Sequence, residues 1–117
     1  MSSASIEHED HSDVCRSIRL SGRLDMIGTE AITMKFASLS AAKGRRVIVD
    51  LREVTFLASV AIREIINNAK AVARRDGRLV LLVGDNDLVA KTLETTGVGT
   101  IVPMFATERE ALEAAVA

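Results

Sequence analysis

Residues 46–75 read RVIVDLREVTFLASVAIREIINNAKAVARR, and the pattern of this stretch changes near residue 59. Its first part contains the β-branched run Val47 to Val49, which is typical of a strand that is buried on both faces. In its second part, apolar residues recur at intervals of three and four while charged residues occupy the other positions. This pattern predicts an amphipathic helix that ends at Gly77. A buried strand followed at once by a helix indicates an α/β fold.

The rest of the chain continues this alternation of strands and helices. Further strands are predicted at residues 5–9, 14–20, 79–83 and 101–102, the first two as the arms of a hairpin. Further helices are predicted from Gly28 or Thr29 to the residues before Gly44, from Asn86 to Gly97, and from a capping box formed by Thr107 and Glu110. We therefore expect an α/β domain with a mixed, mostly parallel sheet of roughly four to five strands and about four helices.

Length and composition indicate one globular domain. At roughly 150 residues per domain, the 117 residues of the chain hold a single domain, and 48% of them are hydrophobic. Cys15 is the only cysteine, which excludes an intramolecular disulfide. Because Arg16 is its only basic neighbour, we expect a buried and unreactive thiol. We assign residues 1–12 to a flexible or edge-strand N-terminal segment and residues 13–117 to the domain.

Charge and hydropathy argue against two classes of partner. The 15 basic and 16 acidic residues leave a net charge of -1, and phenylalanines are the only aromatic residues, so we expect no nucleic acid partner. Residues 1–13 are acidic where a signal peptide is basic and then apolar. The longest apolar runs, such as Leu79 to Val83, are far shorter than the roughly 20 residues of a membrane span. We expect a cytoplasmic protein without direct membrane insertion.

The sequence lacks the residue combinations that most enzymes use. Both histidines, His8 and His11, fall in the acidic N-terminal segment, where we interpret them as part of a solvated tail and not as metal ligands. Without a histidine in the remaining chain, Ser-His and Cys-His nucleophile pairs are excluded there. Gly97-Val98-Gly99 is too short for a dinucleotide fingerprint, and no P-loop pattern occurs. We therefore expect a protein that is not an enzyme and that has no catalytic residue, cofactor or metal.

Ser59 stands at the point where the strand pattern gives way to the helix pattern. One interpretation is structural: the hydroxyl of Ser59 is the N-cap and accepts hydrogen bonds from amides two or three residues further on. The other interpretation is regulatory, because a phosphate added at this position would find free amides and the positive end of the helix dipole. The spacing alone leaves both interpretations open.

Four short motifs occur in order along the chain. They are GRLD at residues 22–25, VIVDL at 47–51, VTFLAS at 54–59 and LETTG at 93–97. In this order and spacing they resemble the STAS domain of bacterial anti-sigma-factor antagonists, and the resemblance covers about residues 14–112. It implies a single STAS-like α/β domain, with a mixed sheet and helices packed on it, and a function without catalysis.

The resemblance also implies a partner and a site. In the family the domain binds a serine kinase that otherwise sequesters a sigma factor. The kinase phosphorylates a serine at the start of the second helix, which expels the antagonist, and a phosphatase reverses the modification. Ser59 falls on the phosphorylated position and Asp25 on the acidic position near it. The implied surface for an anti-sigma serine kinase and a phosphatase consists of Asp25, Leu57, Ala58, Ser59 and Val60.

The residues around Ser59 differ from the family pattern. Where that pattern is Asp-Ser-(Ser or Thr)-Gly, this chain has Ala58-Ser59-Val60-Ala61. The differences favour a second function on the same fold, a stand-alone STAS subunit of a membrane transporter complex. Such a subunit docks on an ATPase and needs no phosphoacceptor. The leading hypothesis is the regulatory binding module, with Ser59 at the centre of its contact surface.

Overall fold

One sheet of five strands organises the part of the chain that the computed structural model describes, residues 4–117. Residues 1–3 of the predicted N-terminal segment lie outside the described residues. In spatial order the strands are β1 (Ser5–Asp10), β2 (Cys15–Leu24), β3 (Arg46–Leu57), β4 (Arg78–Leu82) and β5 (Met104–Phe105). β1 pairs antiparallel with β2, and all other neighbours are parallel, which confirms a mixed, mostly parallel sheet.

Four helices cover the two faces of this sheet within the described residues. They are α1 (Met26–Ser40), α2 (Ser59–Arg74), α3 (Asp87–Thr95) and α4 (Glu108–Val116), with a 3-10 turn at Val98–Thr100. The first three helices share a core with one face, where Ile32, Ile65 and Val89 pack with the buried side chains of β3. α4 packs on the other face through Ala111 and Ala115. The expected α/β layers are confirmed.

β2 and β3 are longer than the sequence pattern predicts. β2 continues through Gly22, which has a φ of 84° and lies at a shift in the register with β3. A glycine adopts this conformation without a steric penalty, so the strand bends there and does not end. β3 runs to Leu57 because β2 stays paired beside it as far as Leu24. Both strands therefore end at the same edge of the sheet.

The predicted strand at residues 101–102 is wrong. The amides of Ile101 and Val102 donate to the carbonyl oxygen of Val98, at 2.9 and 2.8 Å, and so extend the 3-10 turn. The strand follows Pro103, in β5. Proline has no N–H, but its carbonyl oxygen still joins the sheet by accepting a hydrogen bond of 2.8 Å from the amide of Leu81.

The acidic N-terminal segment belongs to the sheet from Ser5 onward. His8 lies opposite Ile18 in the β1–β2 ladder, and the Nε2 atom of His11 is 2.6 Å from the Oγ atom of Ser17. Both histidines are exposed to solvent, as predicted, but they belong to the β1–β2 hairpin and not to a free tail. The segment is ordered because each of its residues from Ser5 to Asp10 has a partner in β2.

Candidate functional site

The carboxyl ends of β2 and β3 lie side by side and lead into α1 and α2. Leu24 lies opposite Leu57, and the amide of Ala58 donates a hydrogen bond of 3.0 Å to the carbonyl oxygen of Leu24. Asp25 follows the acceptor residue, and Ser59 follows the donor residue. The first turns of α1 and α2 therefore meet at this end of the strands. The amides of a first turn have no partner inside their own helix.

Ser59 is the first residue of α2 and not its N-cap. Ala58 holds the N-cap position, with an extended backbone, and no side chain caps the helix. The carbonyl oxygen of Ala58 accepts hydrogen bonds from the amides of Ala61 and Ile62, at 3.0 and 3.1 Å. The N-cap interpretation of Ser59 is therefore wrong. Because β3 continues to Leu57, the last extended residue falls directly before the serine.

The start of α2 combines an exposed hydroxyl with unpaired donors. The side chain of Ser59 is exposed, and no acceptor in the described residues bonds the amides of Ser59 and Val60. The first turn of α2 contains no acidic residue. Arg63, also exposed, lies one turn after Ser59 on the same side of the helix. Amides, helix dipole and guanidinium together make this position favourable for an anion.

Asp25 is the N-cap of α1, and its carboxylate is occupied by two donors. Its Oδ1 atom accepts a hydrogen bond of 2.8 Å from the amide of Gly28, and its Oδ2 atom lies 3.2 Å from Nε of Arg23. The bond from Gly28, followed by the bond and then the charge of Arg23, holds the pKa of Asp25 below its ordinary value. Arg23 in turn lies over the ring of Phe56, 4.3 Å from its centroid.

α1 begins at Met26 and not at the predicted Gly28 or Thr29, because Asp25 caps it. The helix also lies very close to the end of β2. A Cβ atom on Gly28 would overlap the carbonyl oxygen of Arg23, so only glycine permits this approach. The approach brings the first turns of α1 beside the first turns of α2.

A groove of about 490 Å³, here called the α1–α2 groove, runs between these helices. It is lined by Met26, Thr29, Glu30, Thr33, Met34, Val60 and Glu64. Met26 and Met34 are 71% and 86% exposed, and the hydroxyl of Thr29 is buried with no hydrogen-bond partner in the described residues. Exposed methionines adapt their shape to a partner, and two glutamates give the groove a negative rim. The groove therefore suits a protein segment with apolar and basic side chains.

The structure brings together most of the predicted surface residues, with one correction. Val60 lines the α1–α2 groove, Ala58 is half-buried and Ser59 is exposed. Leu57 is only 6% exposed and lies in the core, so the prediction that it contributes to the contact surface is wrong. Side chains alternate between the two sides of a strand, and the neighbouring Phe56, 37% exposed, takes the outward position.

The methionines of α1 were not among the predicted surface residues. Met26 lies before the predicted start of the helix, and the buried face of α1 contains Ile32 and Phe36. Met34 lies outside the spacing of that face. Large apolar residues that fall off the buried stripe of a helix are the signal that could have identified this surface.

No group of three or more His, Cys, Asp and Glu side chains within residues 4–117 is placed to hold a metal ion. None of the helices in this range combines the length and the apolar character needed to cross a membrane.

Comparison with known proteins gives a family match and several similar structures. A family model described as the STAS domain matches residues 5–111. An anti-sigma factor antagonist from Mycobacterium paratuberculosis has a TM-score of 0.84 and 22% identity, with 98% of this chain and 96% of that chain covered. The Bacillus cell fate determinant SpoIIAA, in its phosphorylated form, has a TM-score of 0.68 and 22% identity over 94% and 98% of the two chains.

A third structure, an anti-sigma-factor antagonist (STAS) domain protein from Planctomyces limnophilus, has a TM-score of 0.76 and 23% identity, with 93% of this chain and 95% of that chain covered. A search of curated proteins found no significant match. At these identities the likeness to the solved structures shows a shared fold.

Proposed function

The chain belongs to the STAS domain family, and from this premise we propose that it is an anti-sigma-factor antagonist, a regulatory module that binds a protein partner and performs no catalysis. The observation that carries the proposal is the exposed hydroxyl of Ser59 beside the unpaired amides of α2. Two structures of similar fold are described as anti-sigma factor antagonists, and a third, the Bacillus cell fate determinant SpoIIAA, is described in a phosphorylated form. Ser59 is the proposed site of phosphorylation.

The proposed partner is a cytoplasmic anti-sigma serine kinase, and a phosphatase acts on the modified protein. The contact surface is the α1–α2 groove together with Ala58 and Ser59. The exposed Met26 and Met34 provide apolar contact area. Glu30 and Glu64 favour a partner segment that carries basic side chains.

A phosphate on Ser59 acts differently on the fold and on the complex. Within the domain, the added charge of about -1.5 to -2 lies near unpaired amides and the positive end of α2, so the fold tolerates it. In a complex the phosphate must lose its hydration beside half-buried Ala58 and Val60, and Glu64 on the same groove repels it. Arg63 lies outside the lining of the groove, and the basic side chains of the partner pair with Glu30 and Glu64. The phosphate therefore loses its hydration without a matching basic group, which is costly, so phosphorylation releases the partner.

The direct test is to purify the tagged protein and its Ser59→Ala variant from the source organism and to identify partners and modified peptides by mass spectrometry. We expect wild type to yield a phosphopeptide that contains Ser59 and to recover a serine kinase. Ser59→Ala should lose the phosphopeptide and keep the kinase. Recovery of the kinase with Ser59 unmodified under all growth conditions would contradict the proposed switch.

A second candidate function rests on the side chains around Ser59. Ala58 and Ala61 replace the acidic residue and the glycine of the family's phosphorylated motif. A stand-alone STAS subunit of a membrane transporter complex needs no phosphoacceptor, and in that function the same surface docks on the transporter's ATPase. Recovery of transporter components in place of a kinase, with unmodified Ser59, would favour this function.

A further inference from the structure

The outer edge of β4 is only partly covered by β5. β4 begins at Arg78, whereas β5 pairs with Leu81 and Leu82 alone. The amide of Arg78 donates a hydrogen bond of 3.1 Å to the carbonyl oxygen of Arg45, directly before β3. In a parallel ladder, successive residues direct their amide and carbonyl groups to opposite sides, so those of Leu79 point away from β3. Pro103 has no N–H to offer the carbonyl oxygen of Leu79, and the chain before it forms a turn. Among the described residues, no backbone group pairs with Leu79 on this side.

A groove of about 500 Å³ opens along this edge, and we call it the β4-edge groove. α2 contributes Ala69 and Ala73 to one wall, and α4 contributes Ala114 to the other. Ile101, which is 55% exposed, lies on the side toward β5. Small side chains on both walls leave room for the side chains of an added strand, which point alternately to the two sides of the sheet.

Basic side chains surround the β4-edge groove. Lys70 and Arg78 line it, and Arg74, which is exposed, lies one turn after Lys70 on α2. The Nη1 atom of Arg78 donates a hydrogen bond of 3.0 Å to the carbonyl oxygen of Ala114, which holds the guanidinium at the groove.

These three basic residues form no ion pair within residues 4–117, and Asp76, two residues before Arg78, pairs with none of them. The ion pairs of the structure instead involve Arg16, Arg19, Arg23, Arg52 and Arg109. Positive charge at the groove is therefore free to meet an acidic partner.

We propose that the β4-edge groove binds an extended, acidic peptide segment of a partner protein, which adds to the sheet as a short strand beside Leu79. The outward amide and carbonyl of Leu79 match the backbone of an added strand, and the basic rim is complementary to carboxylates. A flat membrane surface does not reach a backbone edge that lies between two helices. The groove lies at the amino ends of the strands, whereas Ser59 follows the carboxyl end of β3. The two sites can therefore be occupied at the same time.

The test selects peptides from a displayed library of random ten-residue sequences on the full-length protein. Peptides that also bind the Ala73→Trp variant are discarded, because this substitution fills the groove from an exposed position on α2. We expect selected sequences in which acidic residues alternate with β-branched residues. A selected peptide, labelled with fluorescein, is then titrated by anisotropy. Selection without enrichment of Asp and Glu would overturn the proposal.

Two further measurements locate the bound peptide. The double variant Lys70→Glu and Arg74→Glu should weaken binding at least tenfold, whereas the matched double variant Lys35→Glu and Lys91→Glu, on α1 and α3, should leave the Kd within about twofold. Hydrogen exchange of the Leu79 amide, followed by NMR, should slow at least tenfold on binding. Equal affinities of the two double variants, or an unchanged exchange rate at Leu79, would overturn the proposal.

Two other occupants are outcomes of the same test. If no peptide is selected but phosphatidylglycerol vesicles bind wild type and not the Lys70→Glu and Arg74→Glu variant, the surface contacts a membrane and the proposal is wrong. If sedimentation shows a dimer that Ala73→Trp dissociates, the groove joins two copies of this chain and the proposal is again wrong.

Discussion

The amide of Ala58 donates a hydrogen bond of 3.0 Å to the carbonyl oxygen of Leu24, and this bond fixes where Ser59 lies relative to Asp25. The two residues follow the donor and the acceptor directly, so the pairing of β2 with β3 sets their positions. The side chain of Ser59 makes no cap bond and is not needed to start α2. Its hydroxyl is available for modification because the backbone alone holds the helix start in place.

The first prediction is that Ser59→Ala changes the free energy of unfolding by less than about 0.5 kcal/mol, since no hydrogen bond of the side chain is lost. Thr107→Ala is the matched control. The hydroxyl of Thr107 accepts a hydrogen bond of 3.1 Å from the amide of Glu110, so its loss should cost about 1 kcal/mol. Urea denaturation of both variants measures the difference. A larger loss for Ser59→Ala than for Thr107→Ala would contradict this account of α2.

The second prediction concerns Asn86, which caps α3 and also joins it to β3. Its side-chain oxygen accepts a hydrogen bond from the amide of Val89, and its Nδ2 atom donates to the carbonyl oxygens of Leu51 and Val54, at 3.0 and 2.8 Å. Asn86→Ala removes the cap and leaves both carbonyls without this donor, which should cost about 2–3 kcal/mol. Asn86→Asp keeps an acceptor for the cap but places a carboxylate beside two carbonyls, so it should also destabilise the fold. A loss of less than about 1 kcal/mol in Asn86→Ala would show that water replaces these bonds.

The two residues show what sequence patterns reveal and what they miss. Asn86 was predicted as a helix start because the cap is a local signal, three residues from its partner Val89. Its bonds to β3 join residues more than 30 positions apart, and no local pattern encodes them. The wrong N-cap prediction for Ser59 has the same cause. Which residue caps α2 depends on how far β2 stays paired with β3, and that pairing is not local. The motif order identified the fold, but the exposed Met34 and the open edge at Leu79 follow from tertiary packing.

The third prediction concerns the pH dependence of stability. Asp50 is buried, and burial by itself raises the pKa of its carboxyl. Arg52 opposes this effect with side-chain hydrogen bonds of 3.0 and 2.9 Å to the carboxylate, and the charge of Arg19 acts in the same direction. Together they hold the pKa of Asp50 below its ordinary value. A lowered pKa in the folded state stabilises the fold above the unfolded value, about 3.9, and this contribution disappears as the pH falls through the folded value.

Asp50→Asn should therefore destabilise the protein by about 2 kcal/mol at pH 7. The loss is smaller than for a fully buried ion pair because Arg52 and Arg19 are partly exposed to solvent. The gap between wild type and Asp50→Asn should narrow as the pH falls below about 4. Urea denaturation at pH 7, 5 and 3 measures it. Glu113→Gln, which removes an exposed ion pair with Arg109, serves as the control and should show little effect. A gap that stays constant from pH 7 to pH 3 would exclude ionised Asp50 as its source.

The fourth prediction concerns the thiol of Cys15. The residue is 1% exposed beneath α4, and burial raises the pKa of its thiol, against a smaller opposing effect of Arg46. A buried, protonated thiol is a poor nucleophile, so iodoacetamide should label native protein at pH 8 at least 100-fold more slowly than protein in concentrated urea. Mass spectrometry of timed samples provides the rates. Similar rates in both solvents would mean that Cys15 is accessible in the native state.

The last prediction separates charge from shape at Ser59. A carboxylate there lies beside the unpaired amides of α2, so Ser59→Glu should fold as stably as wild type. In a complex with the anti-sigma kinase the same carboxylate loses its hydration against Val60 and meets Glu64, so binding should weaken at least tenfold, or about 1.4 kcal/mol. Ser59→Gln has the same size without the charge and should bind more tightly than Ser59→Glu.

Titration calorimetry with the purified kinase measures all three affinities. The Lys70→Glu and Arg74→Glu variant should bind the kinase as wild type does, because the β4-edge groove lies at the other end of the strands. Equal affinity of Ser59→Glu and wild type would place Ser59 outside the contact surface. An equal loss of affinity in Ser59→Glu and Ser59→Gln would show that the size of the side chain, and not its charge, disrupts the complex. A phosphate would then act as a steric block.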